Sequence, residues 1–380
     1  GASEAALSGS GHIGEKTTYL FSLRQSYLQL LFKMIGLPFL PNYIDGQFKV
    51  KTRLTPYDEL TVMALAGVDR MELNTDLAGE DEGSDYILSY LPKIEQETFT
   101  VGVSYRHYAG RHVQTYVLSH NYLNDKNLKY RNNDESTEEN LTLRLRSTEQ
   151  KTTFRAENMT TLPGGWTLKE GAELNYMDYT DQLVLTGALN DIGEALTENV
   201  PDSYRMGIEL MLGIKPCKWF QWDINATWSK NRIKNFVENI PIYDGWNLLD
   251  VVSVSHKSTR IAFSPDFLLN NRFAFTYQGF EAALQSQFVG KQYMTNAEVE
   301  ALTLDKYFVS NLNLAYTFKP RKVVKEVTLG VTVYNLFNEE YENNGWASSS
   351  YDKDVNHRID SAGYAAQAGT NVMGHVSFRF

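Results

Sequence analysis

The sequence predicts an all-β chain, an antiparallel up-and-down transmembrane β-barrel. Three observations predict it. Apolar and polar residues alternate with period two along most of the chain, aromatic residues gather near the ends of the apolar faces, and short turns alternate with long polar connections. Period two belongs to strands with one apolar and one polar face. Helical periodicity is hardly seen.

Taken in order, the strand segments are these. Phe48, Val50 and Leu54 alternate with Lys49, Lys51 and Arg53. Phe99, Val101, Val103 and Tyr105 alternate with Thr100, Gly102, Ser104 and Arg106. Leu141, Leu143 and Leu145 alternate with Thr142, Arg144 and Arg146. The pattern continues through Met206–Ile214, Trp222–Trp228, Phe280–Phe288, Phe308–Phe318 and Leu329–Val333. It closes on Val372, Gly374, Val376, Phe378 and Phe380, so the last residues are expected inside a sheet rather than frayed.

Between these segments, "LTPYDEL", "TLPGGWTL", "IKPCKWF", "YQGFEA" and "FKPRKVVKEV" read as short turns, because Pro, Gly and Asp supply the turn chemistry. The spans Glu72–Glu95, Asn124–Glu138, Leu185–Asp202, Asn235–Thr259 and Asn343–Thr370 read as long polar loops. In a meander every second connection emerges at the same end. One end therefore carries turns and the other loops, as in outer-membrane barrels. A soluble β-sandwich or propeller also alternates. The apparent strand length, near the roughly 9–11 residues of a tilted spanning strand, favours the membrane reading. So do the aromatic girdles (Tyr105, Tyr108, Trp219, Trp228, Tyr293, Tyr316) and the charged ladders, since a charge facing lipid costs roughly 2–4 kcal/mol at the midplane.

Composition narrows the function classes. The chain has 380 residues, a formal net charge of -10, Tyr 23, Phe 19 and one cysteine, Cys217. An acidic balance argues against a nucleic-acid partner. A single cysteine rules out an internal disulfide framework and a Cys-based zinc site. No apolar run reaches the length of a spanning helix, and "LQLLFKMIGLPFL" is broken by Lys33, Gly36 and Pro38. The opening "GASEAALSGS" has neither a basic region nor an apolar core. The expectation is a leader already removed, or a start inside a longer protein.

The segment "VTLGVTVYNLFNEEYENNGW" carries the motif Asn335, Leu336, Phe337, Asn338 and Tyr341, and "VSFRF" ends the chain. Further such segments are "SYLQLLFKMIGLPFLPNYIDGQFKVKTRL", "DQLVLTGALNDIGEALTENVPDSYRMGIEL" and "FVGKQYMTN" through "LDKYFVSNLNLAYTF". These segments resemble the barrel of TonB-dependent outer-membrane receptors of the Bacteroidetes type. The resemblance implies a receptor in the bacterial outer membrane, not an enzyme. Such a receptor binds a scarce nutrient (siderophore, haem, cobalamin, glycan or peptide) at extracellular loops and imports it with energy transmitted by TonB. It implies no cofactor and no catalytic or metal site. It also implies that Phe378 and Phe380 are read by the barrel-assembly machinery, and that the end strand pairs with the first to remove both edges. Expected partners are outer-membrane lipid and lipopolysaccharide, the TonB complex acting through a plug, and a surface lipoprotein.

The sequence departs from that pattern. Residues 1–380 read as one barrel domain, with no plug domain and no TonB box. About 16 strands are visible where roughly 22 are expected of a plugged transporter. The shortfall is expected near "GAELNYMDYTDQLVL", and joined pieces are the favoured explanation. The alternative function is a plugless, porin-like diffusion channel, and a soluble β adhesin is a third.

Other chemistry is thin. The seven histidines make no closely spaced pair. His107 and His112 flank a turn and read as solvated rather than metal-binding. No P-loop or nucleophile elbow occurs. Arg106, Arg144 and Arg146, with Lys49, Lys51 and Arg53, form the best polar signal. They are read as lumen-facing contacts to an anionic ligand, to a plug, or to carboxylates such as Glu209. The acidic stretches "GEDEGSD" and "NNDESTEEN" lack the spacing of an EF-hand loop and read as solvated. The loop Tyr341–Tyr364, with Trp346 and Tyr351, offers stacking surfaces for a ligand or for lipopolysaccharide.

Overall fold

A computed structural model describes residues 3–190, 192–320, 324–353 and 357–380. The strands are β1 (Glu4–Ile13), β2 (Thr17–Ser26), β3 (Phe39–Thr55), β4 (Asp58–Leu73), β5 (Lys93–Ala109), β6 (His112–Tyr130) and β7 (Leu141–Thr161). Next come β8 (Thr167–Leu189), β9 (Ala195–Cys217), β10 (Phe220–Asp244), β11 (Asn247–Arg260), β12 (Phe267–Tyr277) and β13 (Phe280–Val289). The last are β14 (Gln292–Tyr293), β15 (Thr303–Leu304), β16 (Tyr307–Phe318), β17 (Glu326–Tyr334), β18 (Glu342–Asp352), β19 (Arg358–Ala366) and β20 (Asn371–Arg379). Two α-helices, α1 (Leu28–Met34) and α2 (Glu82–Tyr90), sit in connections. All but β14 and β15 belong to one 18-stranded sheet. It is antiparallel and up-and-down, as the alternation predicts.

The sheet holds 18 strands rather than about 16, for two reasons. β11 and β12 run the same way and share one neighbour: β10 pairs with β12 over Phe220–Trp228 and with β11 over Arg232–Asp244. They are two halves of one line, parted by a break at residues 261–266. β18 and β19 pair with each other as a hairpin between β17 and β20. That hairpin also corrects the reading of Asn343–Thr370 as a polar loop. The loop expected at Asn235–Thr259 is likewise the hairpin β10–β11, and Leu185–Asp202 is mostly the ends of β8 and β9. Polar residues fooled the loop reading because both faces of a hairpin beyond the apolar belt meet water. The short turns stand where expected, although residues 321–323 of "FKPRKVVKEV" lie outside the described residues. β8 runs unbroken through Gly171–Leu185, where the shortfall was expected.

The chain divides into two compact units. The first comprises Gly1–Ala109, Thr115–Arg155 and Tyr176–Gln182, and the second holds the rest. In the first, β1 through β5 pair in sequence order. Rings cross from β5 to β6, with Phe99 stacked on Tyr122 and Tyr105 on Tyr116. Side chains cross from β6 to β7, with Asn124 meeting Thr148 and His120 meeting Thr152. Gly9 and Gly11 of β1 face Phe21 and Tyr19 of β2, whose rings lie where a Cβ would stand, 2.8 Å and 2.9 Å away. Aromatic cover of this kind compensates glycine in a strand.

In the second unit β9, β10, β12, β13, β16, β17 and β20 pair in turn. The terminal strand sets Val372, Val376 and Phe378 opposite Val333, Leu329 and Val327. One continuous apolar face results, exposed as a lipid-facing surface must be. β20 has β17 as its ladder partner and β1 has β2. Closure needs a further row of backbone groups for each edge, and neither unit supplies one to its own edge strand.

The packed core is small and lies among the outer connections of the second unit. Val184, Val200, Ile233, Phe236 and Ile261 form one cluster, and Met294, Leu302, Leu304 and Ala347 another. A barrel wall faces lipid on one side and water on the other, so deep burial occurs only where loops fold over strand ends.

Candidate functional site

The most elaborate site in the second unit is a platform built by residues 290–306 across the ends of β8–β11. Gly290 turns the chain sharply, its N–H donating to the Phe267 carbonyl at 2.9 Å. Gly187 of β8 (φ +92) gives the platform room, because a Cβ there would lie 2.2 Å from the Met294 carbonyl. Asn296 is 1% exposed. Its Oδ1 accepts from the Ala262 N–H at 2.9 Å, and its Nδ2 donates to the Leu185 carbonyl at 2.8 Å and to Glu198 Oε1 at 3.0 Å. Glu298 Oε1 accepts from Arg232 Nη1 at 2.6 Å and from the Arg260 N–H at 3.0 Å. Arg260 reaches on to Asp266 at 2.9 Å. One amide and one carboxylate thus lock four strands, β8 to β11, to the platform, and both polar atoms of the buried Asn296 amide are matched. At its rim Glu300 accepts from Lys291 and from the Tyr293 hydroxyl at 2.7 Å. Lys291 first, then Tyr293, holds the Glu300 carboxyl below its ordinary pKa.

A second lock ties β19 to β10. Arg358 grips Glu238 with two nitrogens, at 3.0 Å and 2.5 Å, while its Nε donates to Asp360 at 2.6 Å. His256 Nε2 lies 3.2 Å from the same Glu238. A bidentate Arg–carboxylate pair fixes orientation as well as distance. Beyond both locks projects the tip of β10–β11, with Trp246 wholly exposed and Leu248 and Leu249 beside it. Alternation could not reveal these locks, because it does not show which residues meet across long chain separations. Gly290 and the dipeptide at Thr295–Asn296 were the available turn signals.

The sequence motif forms a turn, not a ligand pocket. Asn335 has φ +47 and is 3% exposed. Its N–H donates to Asn311 Oδ1 at 2.9 Å, and its Nδ2 donates to the carbonyls of Glu339 at 2.8 Å and Ala368 at 3.2 Å. Its Oδ1 accepts from the Glu339 N–H at 2.8 Å, and its carbonyl accepts from the Thr370 hydroxyl at 2.7 Å. The Leu336 N–H donates to the Ser310 carbonyl, and Asn338 Oδ1 accepts from the Thr370 N–H at 3.0 Å. Tyr341 stacks on Tyr307 with centroids 4.4 Å apart. Phe337 is exposed. Trp346 covers Gly363 across the β18–β19 hairpin, and Tyr351 stands opposite Ile242 in the short parallel pairing of β18 with β10.

In the first unit the three arginines do not converge. Arg106 lies opposite Glu59 at the turn end of β5, on the polar face with Lys51 and Arg53. Lys51 pairs with Glu59 at 2.8 Å. Arg144 and Arg146 lie at the other end of β7. The contacts Asn124–Thr148 and His120–Thr152 put them on the face that continues from Phe99, Val101 and Val103, the apolar one. Leu141, Leu143 and Leu145 fall on the opposite face. Alternation separates two faces but does not say which is apolar further down, and that phase misled the sequence reading. Arg144 donates to Glu138 at 2.8 Å.

His107 Nδ1 lies 2.7 Å from Asp58, and His112 Nδ1 lies 2.8 Å from Thr160. No group of three or more His, Cys, Asp or Glu could hold a metal among the described residues. Asp81 of the acidic stretch caps α2, accepting from the Ser84 N–H at 2.9 Å, and Asp85 accepts from the Gly79 N–H at 2.7 Å.

The comparisons bear on this architecture. Residues 171–336 match the family described as TonB dependent receptor-like, beta-barrel. Residues 171–336 carry a TonB-dependent receptor-like barrel domain. This receptor barrel is a protein of the bacterial outer membrane, and its family consists of receptors and transporters rather than enzymes. Among curated proteins none matches the chain. Several solved structures resemble it. One is a variant of the ferric enterobactin receptor from Pseudomonas aeruginosa with enterobactin bound (12% identity, 90% of this chain and 74% of that one, TM-score 0.41). Others are the FrpB iron transporter from Neisseria meningitidis (12%, 98% and 62%, 0.44) and the siderophore receptor PirA from Pseudomonas aeruginosa (10%, 98% and 58%, 0.47).

Proposed function

We propose that this receptor barrel binds a scarce nutrient at its outer connections and passes it to the periplasm with energy transmitted by TonB. Siderophore, haem, cobalamin, glycan and peptide are the candidate classes. The observation that carries this reading is the family match over residues 171–336, which falls on the strands whose outer ends hold the locked platform. A pore for free diffusion needs no such platform; a receptor needs rigid outer walls to hold a ligand. We propose residues 1–380 as one barrel domain. Arg106, with Lys51 and Arg53, is the polar-face candidate for contact with a plug or an anionic ligand. Phe378 and Phe380 are the candidate signal for the assembly machinery, and a surface lipoprotein is a candidate partner at the exposed β10–β11 tip.

The test uses the complete gene product in its host. Growth on each nutrient class as limiting source is compared in the wild type, in a strain lacking this gene and in a strain lacking TonB. Loss on one class in both mutants supports the reading. TonB-independent growth, together with steady conductance of the purified protein in a planar bilayer, would establish the diffusion channel instead.

A further inference from the structure

Helix α2 of the first unit is held at both ends. Asp81 caps its start, accepting from the Ser84 N–H at 2.9 Å. At its end the Lys129 ammonium donates to the Leu88 and Leu91 carbonyls and to Asn133 Oδ1, and Asn133 Nδ2 donates to the same Leu88 carbonyl at 3.1 Å. Ser84 and Leu88 are buried beneath it. Lys129 belongs to the polar face of β6. The apolar-face contacts of that strand fall on Tyr116, His120 and Tyr122, each an odd number of residues away. The helix therefore lies against the inward face of this unit, at the end that carries the long connections.

The free face of α2 carries one line of side chains. Glu82, Tyr86 and Tyr90 recur every fourth residue, so they stand in a row along the helix. Tyr86 is 70% exposed and Tyr90 56%, and their rings meet each other with centroids 5.1 Å apart and planes inclined by 57°. Two large rings on a rigid mount thus present π-faces, which carry partial negative charge. The charge around them has the same sign. Residues 74–92 hold Asp76, Glu80, Asp81, Glu82 and Asp85, and no Lys, Arg or His. The flanking cations are already taken: Lys33 by Asp76 at 2.7 Å, Lys93 by Glu72 and Glu135, and Lys129 by the carbonyls. Glu80 and Glu82 stand exposed with no cation beside them among the described residues. Such a surface repels an anionic chelate and attracts a cation, which a ring face also binds.

Spacing selects the form of that cation. Four residues of helix advance ~6 Å. Two residues of an extended chain advance ~6.6 Å and bring a side chain back to the same side. Alternate side chains of an extended peptide therefore run in step with Glu82, Tyr86 and Tyr90. We propose that this row binds an extended oligopeptide with Arg or Lys at alternate positions. One cationic head pairs with Glu82, and the next two lie on the rings of Tyr86 and Tyr90. Arg fits better than Lys, because its planar guanidinium stacks on a ring. The proposal rests on the uptake reading, which makes this end of the wall the ligand-facing one, and it names a cationic peptide as the class captured there.

The test is fluorescence anisotropy with the whole chain in neutral detergent, at ~0.15 M salt so that distant charges are screened. The probes are a labelled Arg-Gly-Arg-Gly-Arg peptide and the same peptide with citrulline, a neutral isostere, in place of each Arg. Wild type is expected to bind the Arg peptide about tenfold more tightly than the citrulline one, or better. Y86L combined with Y90L removes both ring faces and no charge, and should weaken binding roughly tenfold. Y86F combined with Y90F keeps the faces and should bind as wild type. E82Q should weaken binding several-fold, while E139Q, in the other acidic stretch, should not. These side chains are all exposed, so the heat-shifted gel band that reads folding should stay as in wild type. Equal binding by the leucine variant and wild type, or of the two peptides, overturns the proposal. So does displacement of the Arg peptide by maltoheptaose, which would give the rings to a neutral sugar. Growth separates this from the uptake reading. TonB-dependent growth on another nutrient class, with no peptide binding, sinks the site alone. Peptide binding with TonB-independent growth sinks the uptake reading and leaves the site standing.

Discussion

Asn335 shows what a single side chain can carry in a protein with little core. Every hydrogen-bonding atom it owns is used, and it is buried in a left-handed conformation that asparagine tolerates better than most residues. The motif was legible in the sequence, but its work was not, because the partners Asn311, Ala368 and Thr370 are distant in the chain. N335A should lose about 2 kcal/mol or more through unmatched buried backbone groups. The folded form should convert to the unfolded gel band at a clearly lower temperature than wild type. An unchanged conversion temperature would mean that the turn holds without the amide.

At the scale of elements, strands were the easy part. Alternation marks a strand whether or not its partner is known, and nearly every segment named from sequence lies in one. Two things escaped. Hairpins beyond the belt looked like loops, because water on both faces removes the contrast that alternation needs. The short helices also escaped, since neither has turns enough to show a period. α2 is held at both ends: Asp81 caps its start, while the Lys129 ammonium donates to the Leu88 and Leu91 carbonyls at its end. The bond to Ser84 holds the Asp81 carboxyl below its ordinary 3.8. A carboxyl with a depressed folded-state pKa contributes stability that is present above its unfolded value and lost as pH falls through the folded one. α2 should therefore loosen below about pH 4 and stay intact at neutral pH. D81A should loosen it already at neutral pH. Hydrogen exchange of residues 79–91, corrected for the intrinsic pH dependence of exchange, reads both. Equal protection in D81A and wild type at pH 7 would refute the cap's role.

For the whole molecule, the sequence made the class legible and left the platform and the two locks hidden. Sheet and girdle are repeated patterns, whereas the locks are single encounters between residues far apart in the chain. Assembly belongs to this scale. Phe378 and Phe380 stand exposed on the apolar face at the very end of the meander. Deleting Phe380 should lower surface levels of the receptor far more than it changes ligand affinity per molecule. Surface labelling beside binding on intact cells measures the two, and normal surface levels would contradict the proposed signal. The topology also has a kinetic consequence. Most ladder neighbours here are neighbours in sequence, so most pairings close short loops at small entropic cost. β17 and β20 are an exception, with a hairpin and two irregular stretches between them. The Asn335 knot joins the two ends of that excursion where Thr370 meets the motif. Once tied, it leaves β20 a single residue from its register, so a long-range pairing of the second unit becomes a local one. Loosening the knot should then delay the last strand even where the finished sheet survives.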